Sequence, residues 1–512
     1  CNEIVAISEN GNNTVAIFVI PLNTNQTGLP VTYRIGSSSP IGKPNNHSLY
    51  RPRGLTFDST GALWIADSGN NRVVRAPKNL SQFTAFNLVV GNGLAGNNYT
   101  TVSSTVSNST LTKPQSIAFL NGIHANDLAI LDSGNGRVVI FPGALTAPAN
   151  STISAFNALF GQDSYTIGVN NIGSRALKTA GCGYINRSAT GLSVSSSNII
   201  YVSDEYFMRI LGFDASAVSY PAPSTNAPQA SKLIGQSNCY ISGYRPNRTA
   251  MSPGTGTVNG GVTTVPVTGS EDAICGSDQA NNRIMCWANR LAARSKPKIQ
   301  SDLILGQPSA YENFPNRNGM PFANTLYNPR YMDYVSKGNF KGLIVADSTN
   351  NRVVGYPRAS NTWPGVVGCL GSSDGVCTSQ SALCWGSFDD NGNRTCGVPN
   401  GSHCNLDPNI KCTDNSQCSD NKCITTDPVL LTVTGVCSTE SANAGTPCIY
   451  NNTCTNGTCV SNPLSLMSRL NSPISAKSDD DGNIWVADSF NHRVVLFCNS
   501  PNTVCGTAGV SS

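Results

Sequence analysis

Charge is scarce in this chain. Asp, Glu, Lys and Arg make up 12% of its 512 residues, against roughly 25% in ordinary soluble domains. The net charge is +4 and no basic run occurs, which excludes the electrostatic footprint of a nucleic-acid binder. Long apolar stretches are missing too. The longest, Val15 to Ile20, falls far short of the roughly 20 residues of a membrane-spanning helix. Histidine is rarer still, with four in the chain, His47, His124, His403 and His492. A catalytic zinc typically takes three protein ligands. These four fall in a glycosylation sequon, near a turn between strands, in a cysteine-rich stretch and in a hairpin turn, so three do not converge. No Gly-x-Ser-x-Gly elbow occurs, and the glycines lack the lysine of a phosphate loop.

Cysteine is plentiful. Of nineteen, twelve lie between Cys369 and Cys459. None of the twelve forms a C-x-x-C pair, which argues against zinc ribbons and redox motifs. The spacing C-x5-C-x4-C occurs at Cys412, Cys418, Cys423 and again at Cys448, Cys454, Cys459. Such a duplicated module is expected to be held by disulfides where no large core is available. Outside it, Cys275 and Cys286 flank one hairpin, Cys498 and Cys505 are placed to close the last repeat, and Cys182 and Cys239 are candidates to pair between loops. Cys1 is left over, and the odd count requires at least one thiol that is free, lipidated or bonded to another chain. The chain starts at Cys1 without a leader and is read as already processed.

One stretch recurs throughout. Ile65-Ala66-Asp67-Ser68-Gly69-Asn70-Asn71-Arg72-Val73-Val74 places an Arg five positions after an Asp, and the same pair returns as Asp132/Arg137, Asp204/Arg209, Asp278/Arg283, Asp347/Arg352 and Asp488/Arg493. Apolar β-formers flank every pair, as in Leu343-Ile344-Val345-Ala346 and Val353-Val354-Gly355-Tyr356, so each reads as a hairpin. A strand entered through Pro lies upstream (Pro52-Arg53-Gly54-Leu55-Thr56-Phe57), and a strand ending in Gly lies downstream (Leu88-Val89-Val90-Gly91). Four antiparallel strands repeated at a period in the tens of residues describe an all-β propeller. Six copies of one pair are a structural device, since a catalytic site needs only one: Asp caps the turn, and Arg pairs with it or with the next blade.

Pro-x-Gly-Leu, then Asp-Ser-Gly-Asn-Asn-Arg-Val-Val, then a Gly-Gln tail (Gly161-Gln162, Gly235-Gln236, Gly306-Gln307) resembles the NHL-repeat propellers, and Asn491-His492 supplies the family's middle letter. The resemblance implies a fold and leaves function open, because such propellers serve as enzymes, sensors and binding platforms. Some are lyases acting on amidated-peptide precursors, which would require several histidines at a channel mouth.

The expected architecture is six full repeats near residues 50–92, 112–162, 190–236, 262–307, 328–369 and 472–507, preceded by a partial blade at 1–36 that lacks its inner strand. Six or seven blades follow, depending on whether that segment takes a place among them. The domain reading is a propeller over 1–369, a cysteine-rich module over 370–463, and a last repeat with tail over 464–512. The Asp–Arg turns are expected on the same side as the long linkers.

Thirteen Asn-x-Ser/Thr sequons occur, at Asn12, Asn25, Asn46, Asn79, Asn98, Asn108, Asn150, Asn186, Asn247, Asn393, Asn400, Asn451 and Asn456, most of them in expected loops and none in an Asp–Arg hairpin. With the disulfide pattern they point to an extracellular glycoprotein. No cofactor is expected beyond N-linked glycans. Asp389-Asp390-Asn391-Gly392-Asn393 and Asp479-Asp480-Asp481-Gly482 look like calcium loops but lack the later bidentate Glu of an EF-hand. The functional expectation is a non-enzymatic structural or interaction protein that assembles with itself into a fibre or surface layer through propeller edges and termini, or binds other extracellular proteins or glycans. The alternatives are a metal-dependent lyase- or lactonase-like propeller and a cell-surface ligand-binding or adhesin ectodomain.

Overall fold

The strands form because each apolar run must bury both of its faces. The computed structural model describes residues 3–20, 31–36, 44–92, 99–100, 105–149, 156–166, 181–216, 228–239, 261–287, 301–307, 312–318, 325–357 and 470–497, apart from a few positions within them, and six short strands between 383 and 461. Blade 2 is the pattern for the rest. β4 (Pro52–Phe57), β5 (Leu63–Asp67), β6 (Arg72–Ala76) and β7 (Leu88–Val90) pair antiparallel in chain order. Leu63, Ile65 and Val74 pack against Val15, Ile17 and Ile35 of blade 1. Trp64, Ala66 and Val73 pack on the other side against Ile117, Ile130 and Val139 of blade 3. A strand apolar on both faces reads as a continuous hydrophobic run, as these do.

Blade 1 has three strands among the described residues, β1 (Glu3–Glu9), β2 (Thr14–Ile20) and β3 (Tyr33–Ile35). They match the second, third and fourth strands of blade 2. Blade 3 comprises β8 (Pro114–Phe119), β9 (Leu128–Asp132), β10 (Arg137–Phe141) and β11 (Ala158–Phe160). Blade 4 comprises β12 (Gly191–Val194), β13 (Ile199–Asp204), β14 (Arg209–Asp214) and β15 (Lys232–Ile234), and blade 5 β16 (Val262–Val265), β17 (Ala273–Asp278), β18 (Arg283–Trp287) and β19 (Leu303–Leu305). In blade 6, β20 (Pro329–Val335), β21 (Gly342–Asp347) and β22 (Arg352–Pro357) are joined by β23 (Leu383–Trp385). That fourth strand lies beyond residue 369, where the sequence reading closes the repeat. It is followed in sequence by Gly386, as other fourth strands are followed by Gly91, Gly161, Gly235 and Gly306.

β24 (Gly401–Cys404) pairs with β25 (Cys423–Thr426), and β26 (Gly435–Cys437) lies between β27 (Pro447–Cys448) and β28 (Cys459–Ser461). Blade 7 has β29 (Pro473–Ser478), β30 (Ile484–Asp488) and β31 (Arg493–Phe497) among the described residues. The chain is all-β, a β-propeller of seven blade sheets. It divides into two compact units, residues 28–276 with 1–22 and 286–301, and residues 302–512 with 23–27 and 277–285.

Two features fix successive blades against each other. The turn expected as a simple hairpin is a single 3₁₀ turn closed by one left-handed residue: Asn71, Gly136, Met208, Asn282, Asn351 or His492, with φ between 51° and 61°. Asn tolerates that conformation better than other non-glycine residues, and its side chain reaches onward. Asn71 Oδ1 accepts from the Lys113 amide at 2.9 Å, Asn282 from Asn328 at 2.8 Å and Asn351 from Ser472 at 2.7 Å, each the residue before the next inner strand. The second feature is the glycine after strand four. Gly91 has φ +89°, and a Cβ there would lie 2.3 Å from Leu111 Cδ1. Leu111 is fully buried and donates its amide to the Gly91 carbonyl at 2.9 Å. Gly36 with Leu49, Gly161 with Ile185 and Gly306 with Leu326 repeat the contact.

Candidate functional site

The recurring Asp–Arg pair is the most polar constellation the repeats share, and its geometry is uniform. Arg Nε donates to Asp Oδ2 in all six copies: 2.8 Å in Asp67/Arg72, 2.7 Å in Asp132/Arg137, 2.9 Å in Asp204/Arg209, 2.5 Å in Asp278/Arg283, and 2.6 Å in both Asp347/Arg352 and Asp488/Arg493. The first five pairs are sealed from solvent, and in the last the Arg493 side chain is 31% exposed. The other carboxylate oxygen, Oδ1, accepts a backbone N–H from the linker ahead of the blade: Tyr50 at 2.7 Å, Thr112 at 2.6 Å, Tyr327 at 2.7 Å. A turn Asn adds a bond to Oδ2, as Asn70, Asn135 and Asn350 do at 2.8 Å. Burial pushes the Asp67, Asp132, Asp204 and Asp347 carboxyls above the ordinary range, against the pull of their arginines.

The guanidinium does more than neutralise the Asp. Arg72 Nη2 donates to the carbonyls of Asn45 (3.0 Å) and Ser48 (2.9 Å) on the incoming linker, and Nη1 to the Tyr99 carbonyl (2.7 Å) on the outgoing one. Arg137 repeats this with Ser107, Thr110 and Tyr165, and Arg209 with Tyr184 and Cys239. Arg72, Arg137 and Arg209 each tie both linkers to their own turn. Buried charges persist only when paired and hydrogen-bonded in this way. In the first five pairs these atoms are engaged inside the blade.

Blade 1 solves the same problem differently. Glu9 stands where blade 2 has Asp67, and Thr14 where it has Arg72. Thr14 Oγ1 donates to Glu9 Oε2 at 2.6 Å, and Arg34 grips the carboxylate with two bonds of 2.7 and 3.0 Å. Blade 4, whose turn reads Glu205-Tyr206-Phe207-Met208, has no Asn to support Asp204. The buried Phe207 ring instead lies 4.7 Å from the Arg209 guanidinium carbon. A disulfide between Cys182 and Cys239 joins the two linkers that Arg209 also joins. A second disulfide, Cys275–Cys286, crosses from β17 to β18. In the cysteine-rich stretch the backbone registers Cys404 with Cys423 and Cys437 with Cys459. Cys1, Cys412, Cys418, Cys454, Cys498 and Cys505 lie outside the described residues.

Among the described residues, the remaining candidates do not converge. His124 is buried beside Asp127 at 3.1 Å, His47 lies on the linker ahead of blade 2, and His492 is the left-handed residue of the blade 7 turn. The Asp479 carboxylate is surrounded by donors, from the Asp481 and Asn483 amides, Asn483 Nδ2 and Trp485 Nε1, between 2.8 and 3.1 Å. Asp58 holds Trp64 Nε1 the same way. Residues 389–393 lie outside the described residues. Among the described residues, no group of three His, Cys, Asp or Glu side chains is placed to hold a metal ion. Of the sequons, Asn12, Asn79 and Asn108 are exposed and Asn46 and Asn186 half-exposed; the other eight lie outside the described residues.

Two recurrent roles escaped the sequence reading. Gln162, Gln236 and Gln307, the last letter of the Gly-Gln tail, each donate Nε2 to the carbonyl of their blade's left-handed turn residue, at 3.1, 2.9 and 3.0 Å. The hydroxyls of Ser48 and Thr110 each accept an amide three residues back at 2.8 Å, so those two sequons carry a hydroxyl that the fold itself uses. A [Ser/Thr]-Leu-x-x-Pro order at Ser48–Pro52, Thr110–Pro114 and Thr325–Pro329 was the signal.

The edge of blade 1 is the remaining distinctive feature. β1 pairs with β2 along all seven of its residues, and among the described residues no strand lies on its other side. Its counterpart β5 has β4 there and is buried throughout, whereas residues 4–9 of β1 are only half-buried.

Residues 49–75 match the NHL repeat. No curated protein matches the chain in sequence. Solved structures similar to it include a streptogramin B lyase (9% identity over 96% of this chain and 89% of that one, TM-score 0.39). Hydrazine synthase from Kuenenia stuttgartiensis (8%, 96% and 92%, TM-score 0.42) and an auxiliary nutrient binding protein from Bacteroides ovatus (10%, 97% and 88%, TM-score 0.38) are similar too. Such scores bear on neither a reaction nor a ligand. The matched repeat holds the first full Asp–Arg turn, five more copies of that turn follow it, and the chain is a β-propeller that carries an NHL repeat in its second blade.

Proposed function

We propose that this chain is an extracellular, non-enzymatic interaction glycoprotein that assembles with copies of itself through the β1 edge of its first blade, on which no strand lies among the described residues. The half-buried β1 strand carries the reading. Unpaired strand edges are templates for another chain, and Ile4, Val5, Ala6 and Ile7 supply apolar surface for an added strand to cover. Strand addition of this kind joins unlike surfaces head to tail, so it propagates into rings or filaments. The disulfides and sequons support an oxidising, extracellular setting. The polar groups that the repeats have in common are engaged inside the blades, which favours a scaffold over a catalyst.

Negative-stain electron microscopy and light scattering of the natively secreted chain, with and without reductant, test the reading. Regular assemblies that grow with concentration are expected, and Ile7→Lys, which places a charge on the β1 edge, should abolish them without unfolding the blades. Monodisperse single particles at high concentration overturn it.

A further inference from the structure

In blades 2, 3 and 4 a cation stands where the chain enters the inner strand, at the end of the sheet that carries the Asp–Arg turn. The amide of the preceding residue donates to the repeat Asp in each case, from Tyr50, Thr112 and Asn186, so Arg51, Lys113 and Arg187 hold one position in three successive repeats. The turn of the blade before fixes each of them. Asn13 Oδ1 accepts from the Arg51 amide and Asn71 Oδ1 from the Lys113 amide, both at 2.9 Å, and Ser133 Oγ donates to the Arg187 carbonyl at 2.8 Å. A Cβ on Gly54 would lie 2.8 Å from the Gln115 carbonyl oxygen and from Ser116 Cα. The start of β4 therefore runs against the start of β8, which places a fourth cation, Arg53, beside blade 3.

The acids at this end are engaged elsewhere. Glu9, Asp67, Asp132 and Asp204 pair with Arg34, Arg72, Arg137 and Arg209, Asp163 accepts from the Tyr184 hydroxyl at 2.6 Å, and Glu205 accepts from the Thr190 hydroxyl. Among the described residues, no carboxylate is left for the four cations. Arg51 and Lys113 are exposed, Arg187 Nε is buried without a hydrogen-bond partner, and the Arg51 guanidinium carbon lies 5.5 Å from the centre of the Tyr50 ring. In sequence, the linkers leading to Arg51, Lys113 and Arg187 (37–51, 92–113 and 162–187) contain six Lys or Arg and one acid, Asp163. The other end of the same blades carries Asp58, Asp127 and Asp214 with Lys78, so the two ends differ in sign. In a chain with so little charge, unmatched cations at one repeated position need a partner from outside.

We infer that this end of blades 2 to 4 binds an acidic polysaccharide, with Arg51, Arg53, Lys113 and Arg187 meeting its sulfates or carboxylates. One cation per blade across three blades suits a chain that repeats its anions better than it suits a single ion. Guanidinium forks match sulfate and carboxylate oxygens in pairs. Tyr206, 61% exposed, stands in the blade 4 turn where blades 2 and 3 have Gly69 and Gly134, and its ring offers a sugar an apolar body with a polar tip. The inference takes the extracellular setting from the proposed function and does not use the β1 edge.

Binding of the full-length chain to immobilised heparin, a sulfated uronic-acid polysaccharide, tests the inference at about 0.15 M salt. Arg51→Asn/Lys113→Asn/Arg187→Gln removes three of the cations, and Asn tolerates the φ of 49° at the first two positions. The variant is expected to keep the wild-type melting temperature and to bind at least about tenfold more weakly, with a shallower dependence on salt. Lys113→Asn and Lys78→Gln each remove one exposed charge, from opposite ends of the blades, and only the first is expected to weaken binding. Neutral dextran should not compete, and single-stranded RNA should compete less well than free heparin. A wild-type chain that heparin does not retain overturns the inference, as do equal losses from Lys113→Asn and Lys78→Gln. Competition by RNA as strong as by heparin overturns the assignment to a polysaccharide. Repeating each measurement in Ile7→Lys reads binding apart from assembly, so a failure here leaves the assembly test of the proposed function standing.

Discussion

Replacing Arg137 by leucine removes four hydrogen bonds at once. They run from Nε to Asp132 at 2.7 Å, from Nη1 to the Tyr165 carbonyl at 2.6 Å, and from Nη2 to Ser107 and Thr110 at 3.0 and 2.8 Å. Asp132 stays behind, fully buried, with only the Thr112 amide and Asn135 amide group as donors. Breaking one side of a buried pair costs about 3–5 kcal/mol, and carbonyls that lose their donors add about 1 kcal/mol each where water does not replace it. The expected loss is about 4–8 kcal/mol. Asp132→Leu/Arg137→Leu removes the orphaned charge and should recover most of it, leaving about 1–3 kcal/mol for the carbonyls. At the partly exposed Arg493, the same change should cost about 2 kcal/mol, because water reaches that pair. Urea denaturation read by tryptophan fluorescence, with hydrogen exchange at the Thr112 and Gly134 amides as the local probe, measures all three. Burial already pushes the Asp132 carboxyl up, and without Arg137 it rises further. A folded-state pKa above the unfolded one gives stability that is lost as pH rises, so the deficit of Arg137→Leu should widen from pH 5 to pH 8. An Arg137→Leu loss below about 2 kcal/mol, or equal to that at Arg493, refutes the clamp.

Gly91→Ala places a methyl 2.3 Å from Leu111 at φ +89° and should cost more than about 2 kcal/mol, while Gly122→Ala, with open space around it, should cost about 1 kcal/mol by thermal melting. Opening Cys275–Cys286, which spans 11 residues, should cost about 3 kcal/mol, and opening Cys182–Cys239, which spans 57, about 4 kcal/mol; the reversed order in paired Cys→Ser variants would contradict the loop argument. For Glu9, burial raises the pKa, but the bonds from Arg34 and Thr14 outweigh it and hold the carboxyl below its ordinary value. Its contribution is thus present above about pH 4.3 and lost as pH falls through the lowered value; Glu9→Gln should flatten that part of the pH–stability curve, and an unchanged curve would show the pair to be inert.

The repeat was legible because its chemistry is local. Asp and Arg five positions apart around a turn, with apolar runs on both sides, announce a hairpin, and six copies announce a propeller. Strand four of blade 6 was not, because 25 residues separate Pro357 from Leu383, and Leu-Cys-Trp-Gly is a weak strand signal inside a cysteine-rich stretch. The partners of Arg72 were also hidden: Asn45, Ser48 and Tyr99 offer backbone carbonyls, which every residue has, so side-chain identity cannot mark them. Gln162, Gln236 and Gln307 were visible as a motif, but their acceptor is again a carbonyl. Blade 1 concealed its kinship differently, by splitting the Asp–Arg function among Glu9, Thr14 and Arg34.

The arginine clamp accounts for the tolerance of this fold to long linkers. Its downstream hold falls at a nearly constant distance, 27 residues from Arg72 to Tyr99, 28 from Arg137 to Tyr165 and 30 from Arg209 to Cys239. Its upstream hold is as regular, at Ser48, Thr110 and Tyr184, 24 to 27 residues before the Arg. What varies is the stretch between one blade's downstream hold and the next blade's upstream hold, from Tyr99 to Thr110 in one case and from Tyr165 to Tyr184 in the next. Insertions there leave both anchors in place, and loop closure grows only logarithmically with length. New sequence can therefore accumulate between anchors without disturbing a blade, and binding functions on such scaffolds reside in loops of this kind.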